Sequence, residues 1–208
     1  MIFRDREDAA RRLTQALEQY RGQNPLVLAI PRGAVPMAKI IAESLGGEVD
    51  VVLVRKLRAP GNPEFAIGSV DETGWTYLGD YAEQAGADAQ YIAAEKEAQL
   101  EVMRERRASY TPIRPPHDPS GRIVIVVDDG LATGSTMIAA LHSLRARSPK
   151  KLICAVPVAP PDTLAKVKSY ADEVVCLSAP PMFYAVGQFY QSFNQVSDEE
   201  VIKLLETT

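Results

Sequence analysis

Cysteine is scarce in this sequence. Cys154 and Cys176 are the only two in 208 residues, both within apolar runs and outside any CxxC or Cys/His spacing. That excludes a disulfide scaffold and a structural zinc site, and predicts core thiols. Histidine is equally sparse, with His117 in a proline-rich stretch and His142 inside a helical pattern, so neither has the company that catalysis requires. No apolar run approaches the ~20 residues needed to span a bilayer. The first residues, Met1 to Asp8, are charged where a secretory signal would be apolar, so a soluble cytoplasmic protein without a membrane partner is expected. Positive charge is not in excess: 23 Lys and Arg face 27 Asp and Glu, a net charge of -4, which argues against a general nucleic-acid binder. What is present is ordinary for a globular chain, 46% hydrophobic and 24% charged residues, and the length predicts a single domain over 1–208.

The hydrophobic pattern alternates in period. Arg6 to Tyr20 places Leu13, Ala16, Leu17 and Tyr20 on one helical side, and Leu26 to Ile30 is a short buried strand. Pro31-Arg32-Gly33 interrupts it before a helix anchored by Val35, Met37, Ala38, Ile41 and Leu45, which Gly46-Gly47 stops. Asp50 to Val54 predicts the next strand. Residues 55 to 63 combine Arg55, Lys56 and Arg58 with Pro60, Gly61 and Pro63 and predict a mobile loop, leading into a hairpin that ends near residue 79. Residues 88 to 107 have the composition of a long, largely exposed helix, which stops before the Pro112 to Pro119 connector. Then come strand 123–127, helix 134–147, strand 152–158, helix 161–171 and strand 174–177. The fold class is therefore α/β, a parallel twisted sheet with helices on both faces, carrying a hairpin and helix insertion and a C-terminal hood. Ligands of such sheets sit outside the carboxyl ends of the strands.

The chemically unusual residues fall at those ends. After Ile123 to Val127 come Asp128, Asp129, Gly130, Leu131, Ala132, Thr133, Gly134, Ser135 and Thr136. Two carboxylates can accept hydrogen bonds from vicinal sugar hydroxyls, and backbone N–H groups with Thr and Ser hydroxyls at a helix start can hold a phosphate. A sugar phosphate fits both halves. Simple helix capping would account for Thr133 or one Asp but not for the second carboxylate. Arg32 can neutralise a diphosphate while Gly33 lets the backbone approach it. Arg55, Lys56 and Arg58 can stabilise charge on a departing anion. Glu64 either orients Lys56 or lies on the surface.

Val126 to Thr136 resembles the ribose-5-phosphate signature of the type I phosphoribosyltransferases, which use 5-phosphoribosyl-1-pyrophosphate (PRPP). Ile30 to Gly33 is similar to that family's pyrophosphate loop, which often holds a non-proline cis peptide, and Arg55 to Glu64 to its catalytic loop. Arg55 to Glu64, Pro157 to Pro161 and Phe183 to Gly187 resemble a bacterial branch of predicted phosphoribosyltransferases over nearly the whole chain. The resemblance implies that Arg32, Gly33, Asp128, Asp129, Gly130, Ala132, Thr133, Gly134, Ser135 and Thr136 bind PRPP. It further implies that Arg55, Lys56 and Arg58 assist departure of pyrophosphate. Magnesium, touching Asp128 and Asp129 directly or through water, belongs to this chemistry.

The expected activity is transfer of phosphoribose from PRPP to a nitrogenous base or related amine. The rival is a regulator that only senses PRPP or a nucleotide. No DNA-binding module is visible, and the GxxxxGK[ST] loop of nucleotide kinases is absent. Where 6-oxopurine members carry an Asp before Thr-Gly, this chain has Ala132, which cannot exchange a proton, so an amino-bearing ring, adenine first, is expected over hypoxanthine, guanine or orotate. Phe183 and Tyr184 are candidate acceptor walls, and with Phe189, Tyr190 and Phe193 they either stack on a base or anchor the tail. A homodimer is left open.

Overall fold

The computed structural model describes residues 1–112 and 114–207, so Ile113 of the proline-rich connector and Thr208 lie outside the described residues. Five parallel strands form the central sheet: β1 (Leu26–Ala29), β2 (Glu48–Val51), β6 (Ile123–Val127), β7 (Lys151–Val158) and β8 (Glu173–Ser178), in the order β2-β1-β6-β7-β8. Their alternating residues enter two cores, one on each face. Val27, Ile125, Val127 and Ile153 pack beneath α1 (Arg6–Ala16) and α2 (Val35–Leu45). On the other face Leu28, Val124, Val126 and Val156 pack beneath α4 (Ser135–Arg145) and α5 (Pro161–Val167). Strands buried on both faces need apolar residues at every position, which is why β1 and β6 read as unbroken apolar runs.

Chain order sets where the sheet opens. From β1 the chain first moves to β2 on one side and later returns to β6 on the other, so the loops leaving β1 and β6 diverge at this switch point and leave a crevice. Helix α1 is started by Asp5, whose carboxylate accepts the Asp8 N–H at 2.8 Å. Helix α2 ends at Gly46, held left-handed at φ +71°.

Between β2 and β6 lies an antiparallel sheet β3-β4-β5, built from β3 (Val54–Ala59), β4 (Asn62–Asp71) and β5 (Thr76–Leu78), followed by α3 (Ala89–Tyr110). This corrects two expectations. The strand expected over 50–54 is β2 at 48–51, and residues 55–59 are not a loop but the first strand of the hairpin. Ala59 pairs with Asn62, so Pro60 and Gly61 occupy a two-residue turn, with Gly61 at φ +70°. The cluster of cations with Pro and Gly disguised a strand whose inward residue, Leu57, is fully buried.

Helix α3 also differs from its composition. Glu95 and Gln99, 6% and 4% exposed, are buried beside Leu100 and Met103, so a helix expected to be largely exposed buries a mixed polar and apolar face. A last helix, α6 (Asp198–Glu206), escaped the sequence reading and packs on α2 and α3 through Val201 and Leu205. The C-terminal segment is stitched to the N-terminus: the Phe3 N–H donates to the Phe189 carbonyl and the Gln191 N–H to that of Phe3, both at 2.8 Å. Phe189 and Tyr190 are buried, so these aromatics anchor the tail.

A buried polar knot fastens the insertion to the sheet edge. Asp50, 1% exposed, accepts from Arg107 at 2.7 Å and from the His117 N–H at 3.0 Å, with Arg114 at 3.4 Å. Removing one partner of such a cluster strands the others in the interior. Asp50→Ala is expected to cost about 3 kcal/mol of stability by urea unfolding, and a loss below about 1 kcal/mol, the scale of an ordinary hydrogen bond, would show that the arginines find other partners.

Candidate functional site

Two adjoining cavities open at the switch point. One of about 380 Å³ brings Pro31, Arg55, Lys56, Arg58, Arg106 and Thr136 together. The other, about 740 Å³, is lined by Arg6, Arg32, Gly33, Arg106 and Asp129 among others. The carboxyl ends of β1 and β6 thus gather residues that lie far apart in the chain.

The anion cradle is the turn into α4. Gly134 takes φ +76° as the N-cap, and a Cβ there would come within 2.8 Å of Thr163 Cγ2, so the turn demands glycine. Thr133 and Ser135 hydroxyls lie 3.1 Å apart, and the Thr163 hydroxyl donates to the Ala132 carbonyl at 2.7 Å. Ala132, Thr133 and Thr136 are exposed. The Ser135 N–H donates to Thr133 Oγ1 at 3.4 Å, so this exposed helix start presents hydroxyls and amides bound only to one another, an arrangement that favours an anion.

The two carboxylates differ. Asp129 is paired with Arg6, Nε to Oδ2 at 3.1 Å, with both side chains about 13–14% exposed. Arg6 also lies over the Phe193 ring, 4.1 Å from its centroid, and donates to the Asn194 carbonyl. The Tyr190 hydroxyl donates to the Asp129 carbonyl at 2.6 Å. Asp128 accepts the Asp129 N–H at 2.9 Å. Burial, and then the charge of Asp129, push the Asp128 carboxyl well above its usual range. Burial raises Asp129 too, against the pull of Arg6. Gly33 lies against this pair, since a Cβ there would fall 2.4 Å from Asp129 Oδ2. The Pro31–Arg32 peptide beside it is cis.

The cations are held by different means. Arg58 makes a two-pronged pair with Glu95, 2.9 and 3.0 Å, and its N–H donates to the same carboxylate at 2.7 Å. Arg55 donates to Gln99 at 3.0 Å. Arg32 is 3.8 Å from Asp198. Lys56 and Arg106 have no hydrogen-bond or ion-pair partner among the described residues. Glu64 is exposed and does not pair with Lys56. Phe183 packs on Phe189 with centroids 5.1 Å apart, Tyr184 is 80% exposed, and neither lines the two cavities.

Sequence reasoning missed Arg6, whose partner is 123 residues away and leaves no local signal. It also missed Glu95, Gln99 and Arg106, although with Met103 and Tyr110 they follow a 4-4-3-4 spacing that marks one helical face.

The phosphoribosyl transferase domain pattern matches residues 2–193. The chain belongs to that family. Two Mycobacterium tuberculosis proteins, from strains CDC 1551 / Oshkosh and ATCC 25618 / H37Rv and each named a "Putative phosphoribosyl transferase", are 43% identical to it over 206 residues, 99% of this chain. The chain spans about half, 46%, of the length of these curated relatives. The crystal structure of TT1426 from Thermus thermophilus superposes with a TM-score of 0.89 and is 46% identical, covering 99% of this chain and 98% of that one. Both the family match and this superposition take in the hairpin and α3 as well as the central sheet. Among the described residues no helix is long and apolar enough to cross a membrane.

A raised carboxyl has a stability signature. The native state binds a proton at Asp128 more tightly than the unfolded chain, whose Asp titrates near ~3.9. This contribution is complete below that value and is lost as pH rises through the folded pKa. Asp128→Asn is expected to unfold at the same midpoint as the parent near pH 3 and at a higher one near neutrality. A melting curve that moves the other way at pH 7 would show that Asp128 is stabilised as an anion.

Proposed function

We propose that the chain binds PRPP and transfers its phosphoribosyl group to a nitrogen acceptor, releasing pyrophosphate. The observation that carries this reading is the convergence, at one switch point, of Thr136 from the α4 N-terminal turn, the Asp129 carboxylate with Asp128 beside it, and a set of cations from the loop after β1, β3 and α3. In this reading the 5-phosphate accepts from the amides and hydroxyls of 133–136, and Asp128 and Asp129 accept from the ribose hydroxyls. Gly130 and Ala132 shape the loop between them. Arg32, Lys56, Arg55 and Arg58 face the diphosphate. As the acceptor nitrogen's lone pair bonds to C1, the C1–O bond breaks and its electron pair leaves with pyrophosphate, where these cations offset the growing charge.

Magnesium fits the donor set, because it takes one or two carboxylates and completes its shell with substrate oxygens and water. Asp128 and Asp129 would hold it, Asp129 through the oxygen not engaged by Arg6. When bound it would neutralise charge on the diphosphate. Adenine or another amino-bearing acceptor remains the favoured partner, since the exposed Ala132 offers no group to exchange a proton with a 6-oxopurine. Phe183 and Tyr184 are the proposed acceptor side of the site, Tyr184 by its exposed ring.

A sensing role draws on one observation: Arg55 and Arg58 are both tied down by α3. One experiment separates the readings. Calorimetric titration with PRPP and magnesium, followed by a pyrophosphate-release assay over adenine, hypoxanthine, guanine, orotate and simple amines, should give binding and turnover with an amino-bearing acceptor. Binding without turnover for any acceptor supports the sensor, and no binding at millimolar PRPP rejects both. With turnover in hand, Lys56→Ala should lower kcat ~100-fold while changing PRPP affinity much less, because its cation acts on charge that develops at the transition state. Equal losses would assign Lys56 to ground-state binding.

A further inference from the structure

Arg106, like Lys56, differs from the other cations of the crevice. Arg6 is engaged by Asp129, Arg55 by Gln99 and Arg58 by Glu95, and Arg32 has Asp198 nearby. Arg106 is exposed and has no such partner among the described residues. Its position is also singular, because Pro31 and Arg106 are the two residues common to both cavities.

The placement follows from α3. Gln99, Met103 and Arg106 stand at i, i+4 and i+7 and line the 380 Å³ cavity together, so they share one helical face. Gln99 and Met103 are buried against the hairpin, 4% and 1% exposed, and they fix the direction of that face. One turn further on, Tyr110 is buried and donates to Asp198 at 2.9 Å, which ties α3 to the start of α6. Arg106 is thereby carried between the cation wall of β3 and the Pro31–Gly33 loop. Its charge bears on both sides: with burial and ahead of Arg58 it lowers the Arg55 pKa, and it also lowers that of Tyr110 against the stronger effects of burial and Asp198. Like charges gathered in one cavity repel, and an anion between them offsets that repulsion.

We propose that Arg106 is an additional binding residue of this site, clamping the diphosphate of the ligand across the junction of the two cavities. The inference rests on the PRPP reading and extends it to a residue outside the loops that carry the sequence signature. A guanidinium presents a planar fork that takes two oxygens of one phosphate or bridges two phosphates, which suits a diphosphate better than a lone 5-phosphate. The 5-phosphate cradle lies on the α4 side, where Thr136 lines the 380 Å³ cavity. Arg106 should therefore discriminate between ligands with and without a diphosphate.

The test is calorimetric titration of the full chain and of Arg106→Gln, Arg106→Lys and Arg104→Gln with three probes: magnesium pyrophosphate, magnesium PRPP and ribose 5-phosphate. Arg106→Gln is expected to weaken pyrophosphate and PRPP about 10- to 100-fold, the scale of a charge-assisted contact, and to leave ribose 5-phosphate within about twofold. Arg106→Lys, which keeps the charge without the fork, should fall between. Arg104, exposed and paired with Glu97 and Glu101, provides the control, and its variant should match the parent. Unchanged pyrophosphate and PRPP affinity in Arg106→Gln, or equal loss for all three probes, overturns the clamp while leaving the PRPP reading in place. A parent protein that binds neither PRPP nor pyrophosphate overturns that reading and the clamp with it.

Discussion

The contact between Arg6 and Asp129 is the constraint on which the site depends. A carboxylate at the end of a strand buried on both faces is costly unless a cation meets it, and the rest of the sheet provides none. Arg6 supplies that cation from the first turn of α1, and to do so it must be held by Phe193 and the Asn194 carbonyl from the other end of the chain. Gly33 is then obliged to lack a side chain, because the pair occupies the space where a Cβ would stand. Position 33, the N-terminal helix and the C-terminal segment are all fitted around one carboxylate.

Helix α3 makes the second arrangement. A buried helix face is expected to be apolar, yet this one carries Glu95 and Gln99, and each is matched to an arginine of β3. The result is a cationic strand on which Arg55 and Arg58 have fixed directions instead of sampling many rotamers. Such preorganisation lowers the entropy lost when an anion arrives. It also explains why a segment rich in cations, Pro and Gly is strand from Val54 onward.

Much of the architecture was legible in the sequence, for identifiable reasons. The strands of the parallel sheet announce themselves as apolar runs because both faces are covered, and the loops after β1 and β6 stand out because Arg32, Asp128 and Asp129 interrupt those runs. The hairpin start was hidden, since Arg55 and Arg58 are bound by Gln99 and Glu95, 44 and 37 positions later, and no local pattern reports a partner at that distance. Helix α6 was passed over although Ser197 with Glu200 is a recognisable start signal, the Glu200 N–H donating to Ser197 Oγ. The role of Arg6 was invisible, because pairing across 123 positions is a property of the fold alone.

The joining of the chain's two ends bears on how the site comes into being. Phe3 pairs with residues 189 to 191, and Arg6 reaches Asn194 across 188 positions. Closing a loop of that length is entropically unfavourable until most other contacts exist. During synthesis the strands of the sheet, the anion cradle and both carboxylates are all made before the segment that steadies Arg6. A nascent chain halted short of residue 190 would hold the strands of the crevice but leave Arg6 unsteadied beside Asp129. The ligand site is thus among the last parts of this domain to mature, and its completion reports that the domain has folded.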